Sequence, residues 1–239
     1  MMTVDRTVVI DFLPESARAY DDGWSVVAVD IMRATTTAVT IVWSGRRCLP
    51  VASVQAAQET AARLDRPLLV GEQGGDLPEG FDLQNSPTAL ECRDDVDRPA
   101  VLLSSSGTRI FGAAASASAV YAACLRNVTA TVAHLAAHHP RVALIGAGAK
   151  GEFRREDQFG CAQLGAGLLD AGYRCQGQRT RQVIERWRDA PVEACAGGRS
   201  AEYLRRTDQL ADLEFVLSRI DDLDAVVAFA DGELRRLHA

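Results

Sequence analysis

Asp30 and Arg33 stand three residues apart in VVAVDIMRATTTAV (26–39), where an apolar run stops and the threonines Thr35, Thr36 and Thr37 begin. A carboxylate at the end of a strand can hold a metal ion or a proton. Guanidinium, hydroxyl and unpaired N–H groups at the start of a following helix, with its positive dipole end, suit an oxyanion. The structural alternative is that Asp30 or a threonine caps the helix and Arg33 makes a surface ion pair. SSSGTR (104–109) repeats the pattern: Ser105, Ser106 and Thr108 surround Gly107, which permits a tight turn, and Arg109 enters the next helix. Here the alternative is an ordinary capped turn. Glu72, Asp82 and Asn85 share the stretch GEQGGDLPEGFDLQNSP (71–87), and EFRREDQF (152–159) carries Glu156 and Asp157. Carboxylates beside arginines and hydroxyls are the ingredients of a Mg²⁺-assisted phosphoryl site, because oxygen ligands hold the ion and the ion neutralises the phosphate.

These residues need elements that bring them together. Short β-branched runs at 7–12, 26–30, 46–51, 66–72, 99–104, 119–123, 141–146 and 224–230 read as strands, the last as the final one. Between them, helices fit 34–43, 54–64, the segment after Gly107, 127–139 and 156–171, the last ended by Gly172. The βα rhythm predicts an α/β fold with a central, mostly parallel sheet covered on both faces. In such folds ligands sit beyond the carboxyl ends of the strands, where most of the polar clusters fall. The loop 71–87 is long for a structureless connection, which points to a lid or binding element. The charged stretch 177–199 reads as a helical excursion outside the sheet.

With 239 residues and 47% hydrophobic content, the chain is expected to form one domain, 1–239. A net charge of −6 provides no global attraction for nucleic acid or an anionic membrane, so an anionic ligand must be caught locally. Lys150 is the single lysine, and arginine's planar fork suits carboxylate, phosphate or sulfonate oxygens. Six cysteines without a CxxC pair argue against a zinc module or disulfide scaffold. The absence of a long uncharged apolar segment leads us to expect a cytoplasmic protein. GAGAKG (146–151) matches GxGxxG, which would suit a dinucleotide-binding oxidoreductase, but the next helix starts late and no acidic residue ends a following strand. HLAAHH (134–139) lacks the Glu of HExxH and reads as an exposed helix end. Cys161, close to the acidic cluster, has no histidine beside it at a strand end.

Taken together, DIMRATTTAV (30–39), GEQGGDLPEGFDLQNSP (71–87), LLSSSGTR (102–109), CLRNVTATV (124–132) and GAGAKGEFRREDQFGCA (146–162) resemble, in order, motifs of the 2-phosphosulfolactate phosphatase family, the ComB-like proteins of coenzyme M biosynthesis. The resemblance implies a three-layer α/β/α architecture and a cytoplasmic, homodimeric, Mg²⁺-dependent phosphatase. Its reaction would hydrolyse (R)-2-phospho-3-sulfolactate to 3-sulfolactate and phosphate. Asp30, Arg33, Thr35, Thr36, Glu72, Asp82, Asn85, Ser105, Gly107, Thr108, Asn127, Glu156 and Asp157 fall on motif positions. On this reading Asp30, Glu72 and Asp157 hold Mg²⁺, and Asp30, Arg33 and Asp157 act in catalysis. Arg33, Thr35, Thr36, Asp82, Asn85, Ser105, Ser106, Gly107, Thr108, Arg109 and Asn127 bind the substrate. Gln73 stands where the family commonly has arginine, and Ser106 where asparagine is usual, which bears on sulfonate and carboxylate recognition more than on phosphate chemistry. A phosphatase of the same scaffold for another small phosphorylated hydroxyacid fits the same motifs.

Overall fold

Uninterrupted apolar runs such as SVVAV and AVLL form strands buried on both faces. A computed structural model describes residues 5–237. The chain runs through β1 (Thr7–Phe12), β2 (Ser25–Val29), α1 (Ala34–Trp43), β3 (Cys48–Val51), α2 (Val54–Ala61), β4 (Leu68–Gly71), α3 (Pro87–Glu91), β5 (Ala100–Leu103), α4 (Gly107–Ala113) and β6 (Ala119–Ala123). It continues through α5 (Val128–His138), β7 (Arg141–Gly146), α6 (Arg155–Asp170), β8 (Arg174–Cys175), α7 (Gln178–Trp187), α8 (Arg199–Arg206), α9 (Leu210–Ser218), β9 (Val226–Ala230) and β10 (Glu233–Leu237).

The strands form one mixed sheet in the order β4-β5-β3-β10-β9-β6-β2-β7-β1-β8, flanked by helices in a three-layer α/β/α arrangement. Two parallel blocks, β4-β5-β3 and β6-β2-β7-β1-β8, are joined by the antiparallel hairpin β9–β10, which pairs with β3 on one side and β6 on the other. The strand at 226–230 is therefore not the last, as the sequence reading had it. Asp231 and Gly232 take positive φ values of 53° and 79°, the conformation of a tight hairpin turn, and return the chain as ELRRL. The charges of β10 had hidden it. Glu233 is buried there because Arg47 grips its carboxylate at 2.9 and 3.1 Å. Beyond β8 the excursion extends further than expected, through α7, a 3-10 turn (Val192–Gly197), α8 and α9.

Helix α1 is buried along its length, from Ala34 to Val42. Its hydroxyls are accommodated by bonding to backbone: Thr36 Oγ1 donates to the Ile31 carbonyl and Thr40 Oγ1 to the Thr36 carbonyl, both within 2.9 Å. The helix packs on β3, β5, β6 and β10, so both parallel blocks close around it. That curvature matters for the site. Five strand steps separate β5 from β2, about 24 Å if the sheet were flat. Yet a Cβ added at Gly107, just after β5, would lie 2.4 Å from Asp30 Oδ2, just after β2. Only glycine allows this approach.

Gly160 on α6 plays a comparable part, since a Cβ there would lie 2.6 Å from Ile31 Cδ1, a side chain with no exposed surface. We expect Gly160→Val to lower unfolding free energy by about 1–3 kcal/mol through overpacking, as measured by urea denaturation.

Candidate active site

Four loops leave the carboxyl ends of β2, β4, β5 and β7 and line one cleft of about 670 Å³. Asp30 follows β2 directly. Its Oδ1 accepts from the Ala34 N–H at 3.2 Å, and Thr35 Oγ1 braces the same turn by bonding both the N–H and the carbonyl of Asp30. Asp157, in the first turn of α6, accepts from Ile31 N at 3.0 Å with Oδ1 and from Gly148 N at 2.9 Å with Oδ2. It thereby ties the β2–α1 loop to the β7–α6 loop. Glu72, after β4, is fixed by Ser105 N at 2.6 Å, Ser105 Oγ at 2.8 Å and Gly75 N at 2.7 Å. Glu156 is buried with its Oε2 unpartnered.

This acidic floor is electrostatically loaded. Removal from water pushes the Asp30 carboxyl up to about 7, with the negative fields of Glu72 and Glu156 adding to the shift and the Ala34 N–H opposing it. Burial likewise raises Glu156. Asp157 is raised well above the ordinary carboxylate range by burial and by the charges of Asp30 and Glu156, despite its two backbone N–H partners.

The walls are cationic and polar. Arg33 is buried in an ion pair with Asp212 of α9, whose carboxylate also accepts from Ser86 Oγ at 2.7 Å and Thr88 N at 3.2 Å. Asn85 is buried on the cleft with an unpartnered side-chain oxygen. Arg109 lines the opening and pairs with Glu15 at 3.0 Å. Lys150, Arg154, Arg199 and Arg206 face the same space.

Of the residues singled out in the sequence, Asp30, Arg33, Glu72, Asn85, Ser105, Ser106, Arg109 and Asp157 line the cleft, with Gly107 packed beneath Asp30. Thr35, Thr36 and Thr108 are buried turn braces, Thr108 bonding reciprocally with Ser104. Two residues stand elsewhere. Asp82 is exposed and clamps the long loop to β4 by accepting from Leu69 N at 2.8 Å, with Arg98 at 3.6 Å. Asn127 is fully buried and bonded to Cys124 N and the Ala225 carbonyl, joining β6 to the segment before β9. Both hold backbone, and neither lines the cleft. The sequence reading passed over Asp212, Ser200 and the cationic residues from α8, which sit in short helices with no strand end beside them. The GxGxxG segment has its Gly148 N–H committed to Asp157, and α6 begins only at Arg155, so this turn does not present a helix N-terminus to a pyrophosphate.

Carboxylates and guanidinium groups gathered at the carboxyl edge of an α/β sheet define an enzyme site for small anions. The sequence model of the 2-phosphosulpholactate phosphatase family matches residues 11–232, and the chain belongs to that family. Relatives named "Probable 2-phosphosulfolactate phosphatase" include one from Synechococcus sp. (strain CC9605), 30% identical over 197 residues, 79% of this chain and 80% of the relative. Another, from Deinococcus radiodurans, is 30% identical over 211 residues, 86% of each chain. A third, from Pseudothermotoga lettingae, reaches 37% over 132 residues, 55% of this chain and 56% of the relative. The activity class is phosphatase. Among the described residues, no helix is long and apolar enough to cross a membrane.

Asp212→Ala leaves the Arg33 guanidinium buried without its counter-ion and should lower stability by about 3–5 kcal/mol in urea denaturation. A second expectation concerns pH. An acid with a folded pKa raised to about 7 binds more protons folded than unfolded between about pH 4 and pH 7, so its contribution makes stability fall as pH climbs through that window and level off above it. In chelator, thermal midpoints of Asp30→Asn should therefore decline less steeply across this window than those of the parent protein and exceed them at pH 8.

Proposed function

We propose that this chain is a Mg²⁺-dependent phosphatase that hydrolyses (R)-2-phospho-3-sulfolactate to 3-sulfolactate and phosphate. The observation that carries the reading is the pairing, in one cleft of a chain matched by the family over residues 11–232, of mutually repelling buried carboxylates with a cationic wall. The proposal extends to a cytoplasmic homodimer serving coenzyme M synthesis.

The floor fits a hard divalent cation on its own chemistry. All its acidic donors are carboxylate oxygens, their charges raise one another's proton affinity, and Glu156 Oε2 is buried without a partner. Among the described residues, no three His, Cys, Asp or Glu side chains converge as a ready-made metal cage. Mg²⁺ does not require one, since it commonly uses one or two carboxylates and fills the remaining positions with water and substrate phosphate. Of the expected trio Asp30, Glu72 and Asp157, Asp30 with one of its two acidic neighbours would hold it, as the three do not converge as a cage. When bound, the ion supplies Lewis-acid stabilisation of charge on the phosphoryl oxygens.

The protein's own groups then have distinct tasks. Arg33, immobilised by Asp212, presents a fixed positive charge to the phosphate without reorganising during reaction. Ser106 and Asn85 offer further polar groups on the cleft, Asn85 through an amide whose buried oxygen has no protein partner. Water attacks phosphorus, the ester P–O bond breaks, and the proton the water gives up ends on the departing sulfolactate oxygen. Ser105 and Gly75 keep Glu72 aimed into the cleft. Trapping substrate phosphorus on protein in a rapid quench would replace direct hydrolysis with a phosphoaspartyl route at Asp30.

The test is phosphate release from 2-phosphosulfolactate, phosphoglycerate and phospholactate, with Mg²⁺ and with chelator. We expect the highest kcat/KM for the sulfonate substrate, loss of turnover in chelator, and a fall of at least about 100-fold in kcat for Asp30→Asn with the fold retained. A preference for phosphoglycerate or phospholactate would transfer the reading to another phosphorylated hydroxyacid. Full turnover in chelator would remove the metal.

A further inference from the structure

We propose that Arg154 and Arg199, held together by Glu152, form the seat for the substrate's non-reacting sulfonate and so determine which phosphorylated acids this enzyme accepts. The inference rests on the phosphatase reading above and adds to it the residues that read the part of the substrate remote from phosphorus.

The two guanidinium groups come from different parts of the chain. Arg154 ends the loop after β7, and Arg199 opens α8. Arg154 Nη1 donates to Glu152 Oε2 at 2.9 Å, and Arg199 Nη1 donates to both Glu152 oxygens at 2.7 and 2.8 Å. One carboxylate thus serves two cations, leaving one positive charge in excess at the mouth of the cleft. It also occupies only one nitrogen of each fork, so most of their donors remain available. Arg154 has 12% of its side-chain surface exposed, and its Nε is buried with no hydrogen-bond partner. A buried N–H on a charged group is costly to leave unmade, and among the described residues the remaining guanidinium nitrogens have no carboxylate partner.

The position suits a second anionic group. Arg154 lies close enough to Glu156 for its charge to favour that carboxylate's ionised form, so it stands beside the acidic floor. Arg199 is held over the same cleft by α8, which Tyr203 anchors across the opening through a 2.6 Å bond from its hydroxyl to the Gly75 carbonyl. Lys150, Glu202 and Arg206 line the same cleft, as does the acidic floor. Arg33, by contrast, is held by Asp212 of α9 and on the phosphatase reading serves the phosphate end. A tetrahedral sulfonate has three oxygens to share between two arginine forks, whereas the methyl group of phospholactate has none.

The experiment measures Arg154→Gln and Arg199→Gln on 2-phosphosulfolactate and 2-phospholactate, together with calorimetric binding of 3-sulfolactate and of inorganic phosphate. Each variant should lose about 10- to 100-fold in kcat/KM on the sulfonate substrate and change less than about threefold on phospholactate. Sulfolactate binding should weaken by a similar factor and phosphate binding stay unchanged. Glu152→Gln, a positioning variant, should raise KM for the sulfonate substrate while kcat holds. Equal losses on both substrates, or unchanged sulfolactate binding, would overturn the seat. If the parent protein hydrolyses neither ester but binds sulfolactate in an Arg154-dependent way, the phosphatase reading fails and the seat stands. Arg199→Gln, at an exposed position, guards against a folding defect in Arg154→Gln.

Discussion

The Asp157 carboxylate, gripped by the N–H groups of Ile31 and Gly148, is the contact on which the site depends. β2 and β7 are neighbours in the sheet, and their last residues, Val29 and Gly146, lie in register. The chain beyond each strand would otherwise diverge, one branch into α1 and the other into the loop before α6. One buried side chain spans them and accepts from both. This fixes Asp30 on one branch and Glu156 on the other, at the cost of concentrating like charges where water is scarce. The remainder of the cleft answers that concentration, with backbone N–H groups below it and arginines around it.

Those arginines are not equivalent. Arg33 is structural as much as electrostatic, and so is Arg126, which lies outside the cleft. Arg126 is buried, donates to Asp222 at 3.0 and 2.8 Å and to Thr40 Oγ1 at 2.9 Å, and lies over the Phe215 ring. Together with the Arg33–Asp212 pair it secures α9 against α1 and the β6 connection. Arg154 and Arg199 instead share one exposed carboxylate and keep donors free. The same residue type therefore fastens the helical layer at one depth and offers itself to solute at another.

The fold was legible wherever burial on two faces forced an apolar run, as in β2, β5 and β7. It was illegible where the stabilising partner lay far along the chain. ELRRL becomes a strand because Arg47 neutralises Glu233, and α8 and α9, eight and nine residues long, are too short for a periodic pattern to stand out from the charged stretch around them. The site divides in the same way. Asp30, Glu72, Ser105 and Asp157 follow strands or open helices and could be read from position. Asp82 and Asn127 occupied similar settings in the sequence but satisfy backbone groups outside the cleft, a distinction that only three-dimensional partners reveal. Asp212 lies in the first turn of α9 and acquires its importance through partners distant in sequence, Arg33, Ser86 and Thr88.

The hairpin β9–β10 sits at the centre of the sheet although it comes after every other strand in the chain. A nascent polypeptide stopped before Val226 would hold two separate parallel ribbons, with β3 and β6 each presenting an unpaired edge and α1 lacking one of its walls. Closure of the molecule waits for the final strands to leave the ribosome, and until then the inner edges are open to pairing with other chains.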